Sequence, residues 1–292
     1  MRSVGRFWLM VGFGAYVGNT VMTRPAVLIE RVWFVVNDFF SGSQMRTLRV
    51  VESSGSVALR DLLEKHPRVK LEGWRPSEQL MIRFIEGGAE RTLEQARISQ
   101  DGTYGLIELM DNNPLVCAER ASVPGALATL GLICLGPLAR AEMLTAEPTV
   151  EPSFNEDAEE LVAALRLEGF HGGVHLAPST GERAGLLSVR CIAPLRAHSG
   201  AEVEELFAEL YGRSFFLRPA KERGEDQILG SPYATYSLDA ARLKGERVLE
   251  VRAIADADGK CGAAQMIHVF NVMAGFEEDL GLSRLPNMEQ TR

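Results

Sequence analysis

The stretch from Thr47 to Leu71 constrains this chain more than any other. Thr47–Val51 (TLRVV) is a short apolar run of strand type, Val57–His66 (VALRDLLEKH) repeats its apolar residues at helical spacing, and Val69–Leu71 resumes strand character. Strand, tight turn, helix and strand predict a parallel β-α-β unit. In dinucleotide-binding folds the turn of such a unit holds a pyrophosphate on the helix N-terminus. Here the turn reads VVESSGSVALRDLL, so Ser53, Gly55 and Ser56 are the candidate cofactor contacts. The fingerprint needs three glycines, for the tight turn, for backbone approach to phosphate and for helix packing, and the loop holds Gly55 alone. Glu52 stands where the first glycine belongs, and its carboxylate would face phosphate oxygens unless it turned away. The expectation is a Rossmann-like unit without a bound cofactor, with NADP(H) as the alternative.

Composition bounds the rest. The 292 residues, 46% hydrophobic and 24% charged, describe a folded protein long enough for one large domain or two moderate ones. A net charge of -8 and a pI near 5.3 argue against a nucleic-acid surface, which needs clustered Lys and Arg to neutralise phosphates. Cys117, Cys134, Cys191 and Cys261 form no C-x-x-C pair, so neither a zinc ribbon nor a dense disulfide framework is indicated, and the pattern suits a reducing compartment. His171 and His175, on a stretch read as strand, would stand about 13 Å apart at roughly 3.3 Å per residue, too far for one metal, and no metal site is expected.

Phe7 to Thr23 (FWLMVGFGAYVGNTVMT) carries no charge between Arg6 and Arg24. As a helix it would span roughly 26 Å, slightly short of the roughly 30 Å hydrocarbon core. A second apolar run, Pro25 to Phe40, contains Glu30, Arg31 and Asp38 and has interfacial character, with Trp8, Tyr16 and Trp33 suited to a membrane interface. Three readings stay open for this region: an anchor or interfacial helix over 7–40, a helix buried in the protein or at a subunit contact, or an organellar targeting segment, since Arg2, Arg6 and Arg24 are basic and no acid precedes Glu30.

Further along, Thr103–Leu109 (TYGLIEL) resembles the V-Y-G-L-P-E-L segment of the N-acetyl-gamma-glutamyl-phosphate reductases, with Tyr104, Gly105, Leu106 and Glu108 matching. About twenty residues on, VPGALAT (Val123–Thr129) and the following LGLICLGPLARAEML are similar to that family's N-P-G-C-Y-P-T nucleophile motif and its helix. HLAP at His175, with Arg183 and Gly185 after it, LLSVRCIAPL, and GKCGAAQMIHVFNVMAGF resemble later family segments, with Lys260, Gln265, Asn271, Met273 and Gly275 in register. The resemblance covers about residues 47 to 283.

That alignment puts Ala126 in the place of the nucleophilic cysteine. The resemblance implies thiolate attack on an acyl phosphate and reduction of the thioester by NADPH, and a methyl group can do none of this. Cys117 and Cys134, nearby in sequence, are read as buried and inert. The histidine that the family uses as acid and base has no counterpart around Val150–Asp157, where Glu156, Asp157, Glu159 and Glu160 are read as charging the first turn of the helix that runs through Leu165. His268 and Val269 stand at the family's Q-N pair.

The resemblance implies a Rossmann-like parallel-sheet α/β domain (46–125 and 260–292) interrupted by an α+β dimerisation-type domain (126–259), after an N-terminal apolar extension (1–45). Tyr104, Thr129, Lys260 and Gln265 are the residues of its relict pocket. The functional expectation is a catalytically inactive reductase-like subunit of a membrane-associated, organellar complex, mitochondrial rather than plastid, with soluble cytoplasm as the alternative location and protein subunits as partners. The alternative functions are an NADP(H)- or metabolite-binding regulator, or an NADP-dependent acyl-phosphate reductase with an atypical nucleophile.

Overall fold

The chain divides into two units, residues 1–46 and 47–292. The structure, a computed structural model, describes residues 46–95, 98, 102–110, 112–181, 184–195, 200–222, 227–243 and 246–282. The apolar region read as an anchor lies outside the described residues, as do Arg183 and His198. Among the described residues no helix is long and apolar enough to cross a membrane.

The β-α-β unit forms as its pattern dictates. Strand β1 (Leu48–Gly55) pairs in parallel with β2 (Val69–Leu71), Leu48 opposite Val69 and Val50 opposite Leu71, and α1 (Val57–Lys65) connects them. Helix α1 buries Ala58, Leu59, Leu62 and Leu63, one apolar stripe at 3.6-residue spacing, and starts on Ser56, whose hydroxyl accepts from the Leu59 amide at 3.3 Å. Strand β1 runs four residues further than its apolar run. Ser53 and Ser54 stay in the ladder because their hydroxyls donate to the carbonyls of Met81 (3.0 Å) and Gln79 (3.1 Å), and β3 (Trp74–Pro76) and β4 (Met81–Glu86) pair with this end of β1.

A hairpin on Gly87 and Gly88, both at positive φ, returns β4 into β5 (Ala89–Gln95). The first sheet then adds β7 (Arg120–Val123) and β6 (Thr103–Tyr104), giving the order β2-β1-β4-β5-β7-β6 with β3 on β1. Only β4 runs against its neighbours. A 3-10 turn (Ile107–Leu109) and α2 (Asn112–Cys117) link β6 to β7.

The second sheet is mainly antiparallel, in the order β11-β12-β13-β10-β8-β9, from β8 (Thr149–Pro152), β9 (His175–Leu176), β10 (Leu186–Pro194), β11 (Leu217–Pro219), β12 (Ala234–Leu243) and β13 (Glu246–Asp256). Helices α3 (Ala126–Arg140), α4 (Glu159–Leu167) and α5 (Gly200–Tyr211) share its core, while α6 (Ala263–Met273), buried on every side, packs into the core of the first sheet with α1. The expected class, a Rossmann-like α/β body joined to a dimerisation-type α+β part, is the one observed.

Helix α3 holds the two parts of the site, and its sequence explains how it is packed. Gly131 and Gly136 face Leu161 and Leu109 so closely that a Cβ would fall 2.5 and 2.4 Å from their methyl groups. Pro137 has no amide proton, so the Ile133 carbonyl one turn back loses its helical donor. The buried Tyr211 hydroxyl lies 3.1 Å from that carbonyl and 3.3 Å from the Leu132 carbonyl, and supplies the missing hydrogen bond.

Candidate functional site

Helix α3 begins at Ala126 with Gly125 as its N-cap, a residue that has no side chain to satisfy the first amides. Two distant carboxylates do so instead. The Gly125 amide donates to Glu160 Oε1 at 3.0 Å, the Leu127 amide donates to Glu156 Oε2 at 3.0 Å, and the Tyr104 hydroxyl donates to the same Glu160 oxygen at 2.8 Å. A Cβ at residue 125 would fall 2.8 Å from Glu160 Oε2, so glycine is what lets the carboxylate reach the backbone. The four acids expected to charge their own helix are therefore divided. Asp157 does so, accepting from the Glu159 amide at 3.0 Å, but Glu156 and Glu160 neutralise the start of α3, a partner some thirty residues upstream. Burial, together with the Glu160 and Glu156 charges, pushes the Tyr104 hydroxyl well above the usual phenol range and keeps it a donor.

One residue upstream, the Pro124 carbonyl collects Gln95 Nε2 (3.1 Å), Thr129 Oγ1 (3.1 Å) and Gln265 Nε2 (3.5 Å), and Thr129 Oγ1 also lies 3.3 Å from Gln265 Oε1. The Gln95 amide nitrogen reaches the Cys261 carbonyl as well, at 2.8 Å. One side chain thus ties the start of α3 to the segment that opens α6. Lys260 turns the other way, into a buried ion pair with Glu108 at 2.5 Å, with side chains only 1% and 2% exposed. Burial pushes the Glu108 carboxyl up, but Lys260 and His268 outweigh it and hold the group below its ordinary value. Of the expected pocket residues, Thr129 and Gln265 meet, Tyr104 joins them at the start of α3 through Glu160, and Lys260 faces Glu108.

Residue 126 brings no nucleophile, and the two cysteines nearest to it in sequence, read as buried and inert, do not supply one at the start of α3. Cys134 is buried against Cys191, and burial first, then Cys191, pushes its thiol up. Cys117, expected to be buried, is exposed at the end of α2, a short surface helix. Cys261 is the cysteine whose backbone the fold ties to the site, its carbonyl sharing the Gln95 donor with Pro124, and its thiol lies within electrostatic reach of Glu156. Burial, then the Asp256 and Glu156 carboxylates, push it up while Lys260 pulls it down, so it stands as a protonated thiol. The one signal in the sequence was its place in GKCG, just before a helix.

The β1–α1 turn decides the cofactor question. Glu52 does turn away, toward Arg75 at 3.2 Å and Arg83 at 3.0 Å. Leu80, however, packs over Gly55, its methyl 2.5 Å from where a Cβ would stand, and the Ser56 hydroxyl donates to Asp258 Oδ1 at 2.9 Å. A carboxylate on the first turn of α1 and a leucine over its glycine do not fit a dinucleotide pyrophosphate.

Comparison with known proteins finds similarity to phosphate reductases, the kind of protein that the motifs resemble. A Pyrobaculum calidifontis protein described as a LysW-L-2-aminoadipate/LysW-L-glutamate phosphate reductase is 27% identical over 223 aligned positions, covering 63% of this chain and 62% of its own length. Its Pyrobaculum neutrophilum counterpart is 27% identical, covering 64% and 63%. The Bacillus subtilis N-acetyl-gamma-glutamyl-phosphate reductase is 24% identical, covering 68% and 66%. The chain is a relative of these phosphate reductases. It spans just over three fifths of the length of the Pyrobaculum proteins it matches. No family model matches it.

This kinship corrects the expectation of an inactive protein. The relatives are all described as reductases, whereas the argument for inactivity came from this sequence alone, from the missing thiol at residue 126, the missing histidine and the glycine-poor β1–α1 turn. A phosphate reductase relative that lacks a thiol there still has Cys261, whose backbone one Gln95 side chain links to Pro124 just before the same helix.

Proposed function

We propose that the protein is an acyl-phosphate-processing enzyme of the reductase type, in which Cys261 serves as the atypical nucleophile and the start of α3 binds the oxyanion. The observation that carries this reading is the pair of amides of Gly125 and Leu127, each 3.0 Å from a carboxylate oxygen, with the Tyr104 hydroxyl beside them. Glu160 and Glu156 occupy the positions that a substrate's carbonyl or phosphate oxygens would take.

An anionic substrate entering here displaces Glu156 from the Leu127 amide. That carboxylate is one of the charges holding the Cys261 thiol up, and once released it accepts the thiol proton. The thiolate then attacks the acyl carbon: a C–S bond forms, the C–O bond to phosphorus breaks, inorganic phosphate leaves, and a thioester remains on Cys261. Acyl transfer is the half of the relatives' chemistry that this chain's own residues support.

The test is rapid mixing of the protein with acetyl phosphate or with a γ-acyl phosphate of a dicarboxylic amino acid. One equivalent of inorganic phosphate is expected in a burst, lost in Cys261→Ser and kept in Cys117→Ser. A burst that survives Cys261→Ser, or none with either compound, overturns the reading.

A further inference from the structure

Residues 77–80 cross the carboxyl end of β1. They run from β3, where Pro76 pairs with Gly55, to β4, where Met81 pairs with Ser54, and these two strands flank β1 on opposite sides. In open α/β sheets a dinucleotide lies in the crevice outside the carboxyl ends of the strands. Here the connection lies across that place and is fastened at three points. The Ser77 amide donates to the Gly55 carbonyl at 3.2 Å, the Ser54 hydroxyl donates to the Gln79 carbonyl at 3.1 Å, and the Gln95 amide of β5 donates to the Leu80 carbonyl at 2.9 Å. The last bond holds the buried Leu80 side chain down on Gly55. Asp258, which accepts from the Ser56 hydroxyl, adds a carboxylate at the start of α1. The misfit with a pyrophosphate is therefore built into the path of the chain and not confined to one side chain.

The start of α3, by contrast, is open to solvent. A thioester kept for hydride transfer has to be shielded from water, because hydrolysis competes with reduction. Glu156 lies in the wall of an open cavity of about 510 Å³, which Asn155, Asp157 and Ser179 line with it, and Asn155 and Asp157 are exposed. One water needs only about 15 Å³ of such space. Solvent thus reaches the carboxylate that takes the thiol proton in the acyl-transfer reading.

We infer that water, and not a hydride donor, takes the acyl group from Cys261, so that the protein hydrolyses acyl phosphates to a carboxylate and inorganic phosphate without a nucleotide. This inference rests on the acyl-transfer reading and adds the fate of the thioester. In the first half Glu156 passes the thiol proton to the departing phosphate. In the second, Glu156 takes a proton from a water in the cavity, the water oxygen bonds to the acyl carbon, the C–S bond breaks, and the Cys261 thiolate takes that proton back while the new carboxylic acid ionises. The Leu127 amide that Glu156 has left holds the carbonyl oxygen meanwhile. Nothing is oxidised or reduced, so the cycle needs no partner other than water.

The experiment follows the full chain beyond the burst, with the acyl phosphate that gives it, in water labelled with heavy oxygen and with or without NADPH. Phosphate release should continue linearly past one equivalent, matched by the carboxylate, with the label in the carboxylate and none in the phosphate. NADPH up to about 1 mM, the upper end of ordinary Michaelis constants, should change the rate by less than about twofold and should not be consumed. Cys261→Ser should lose both the burst and the turnover, and its rate gives the uncatalysed background. Consumption of NADPH with formation of an aldehyde, or a burst with no release after it, overturns the hydrolytic inference and leaves acyl transfer standing. No burst with either acyl phosphate, or label in the phosphate above background, overturns both.

Discussion

Removing the Tyr211 hydroxyl tests how a proline is tolerated inside a deeply buried helix. In Tyr211→Phe the ring keeps its packing against Phe207 and Tyr236, at 5.7 and 5.5 Å between centroids, so the change isolates the hydroxyl. The Ile133 carbonyl, already without its helical donor because residue 137 is proline, then has no partner in a buried setting. An unmet buried carbonyl costs about 1–3 kcal/mol. For a folded unit of this size each kcal/mol moves the melting temperature by about 2–4 °C, so a drop of about 2–12 °C is expected. Pro137→Ala supplies the amide proton at residue 137 and restores the helical bond to Ile133. In that background Tyr211→Phe should cost less, with a coupling of about 1–2 kcal/mol across the cycle. Urea unfolding of the four proteins measures it. A cost below about 0.5 kcal/mol for Tyr211→Phe, or strict additivity with Pro137→Ala, refutes the reasoning.

Four further outcomes follow from the geometry. Lys260→Met should destabilise the protein by about 3–5 kcal/mol, because it leaves Glu108 buried and unpaired, whereas Lys260→Met with Glu108→Leu should regain most of that loss in urea titrations. Gly131→Ala should lower the urea midpoint by an amount equivalent to about 1–3 kcal/mol, despite the better helix propensity of alanine, because the new Cβ meets Leu161 at 2.5 Å; relief by Leu161→Ala would confirm the contact. The folded value of Glu108 is depressed and that of His268 is lowered, so both contribute stability that is present above their unfolded values, near 4.5 and 6.5, and lost as pH falls through the folded ones. Urea midpoints should therefore fall from pH 7 to pH 4, with the portion between 7 and 5 reduced in His268→Phe and its remainder carried by His66, whose folded value burial also lowers. Glu156→Gln removes a charge that holds the Cys261 thiol up, so alkylation of Cys261 by iodoacetamide at pH 8 should be faster than in the parent protein, and an unchanged rate would disconnect the two groups.

Much of the fold was legible because its signals are local. The helical stripe of α1 and the apolar run of β1 announce themselves within a dozen residues, and the motif order from Tyr104 to Gln265 carries the resemblance to the reductases. What the sequence hid depends on partners far away. Ser53 and Ser54 read as turn residues, yet carbonyls near residue 80 hold them in a strand. Glu156 and Glu160 read as caps of their own helix, yet their partners are amides at 125 and 127. Cys261 was passed over because it lies more than 130 residues from Ala126, and it is the Gln95 bridge and the contacts of Gln265 with Pro124 and Thr129 that show the two segments to meet. Cys134 is the buried thiol that its place inside an apolar helix predicted, whereas Cys117, read as buried, is exposed at the end of a short helix.

The measurement that bears most directly on the proposed chemistry is intact-mass and peptide mapping of the protein after brief exposure to an acyl phosphate and acid quench. Acyl transfer to Cys261 predicts a single acyl adduct on the peptide containing residues 260–265, labile to hydroxylamine and absent in Cys261→Ser. An unmodified Cys261, or an adduct located on the exposed Cys117, would contradict it.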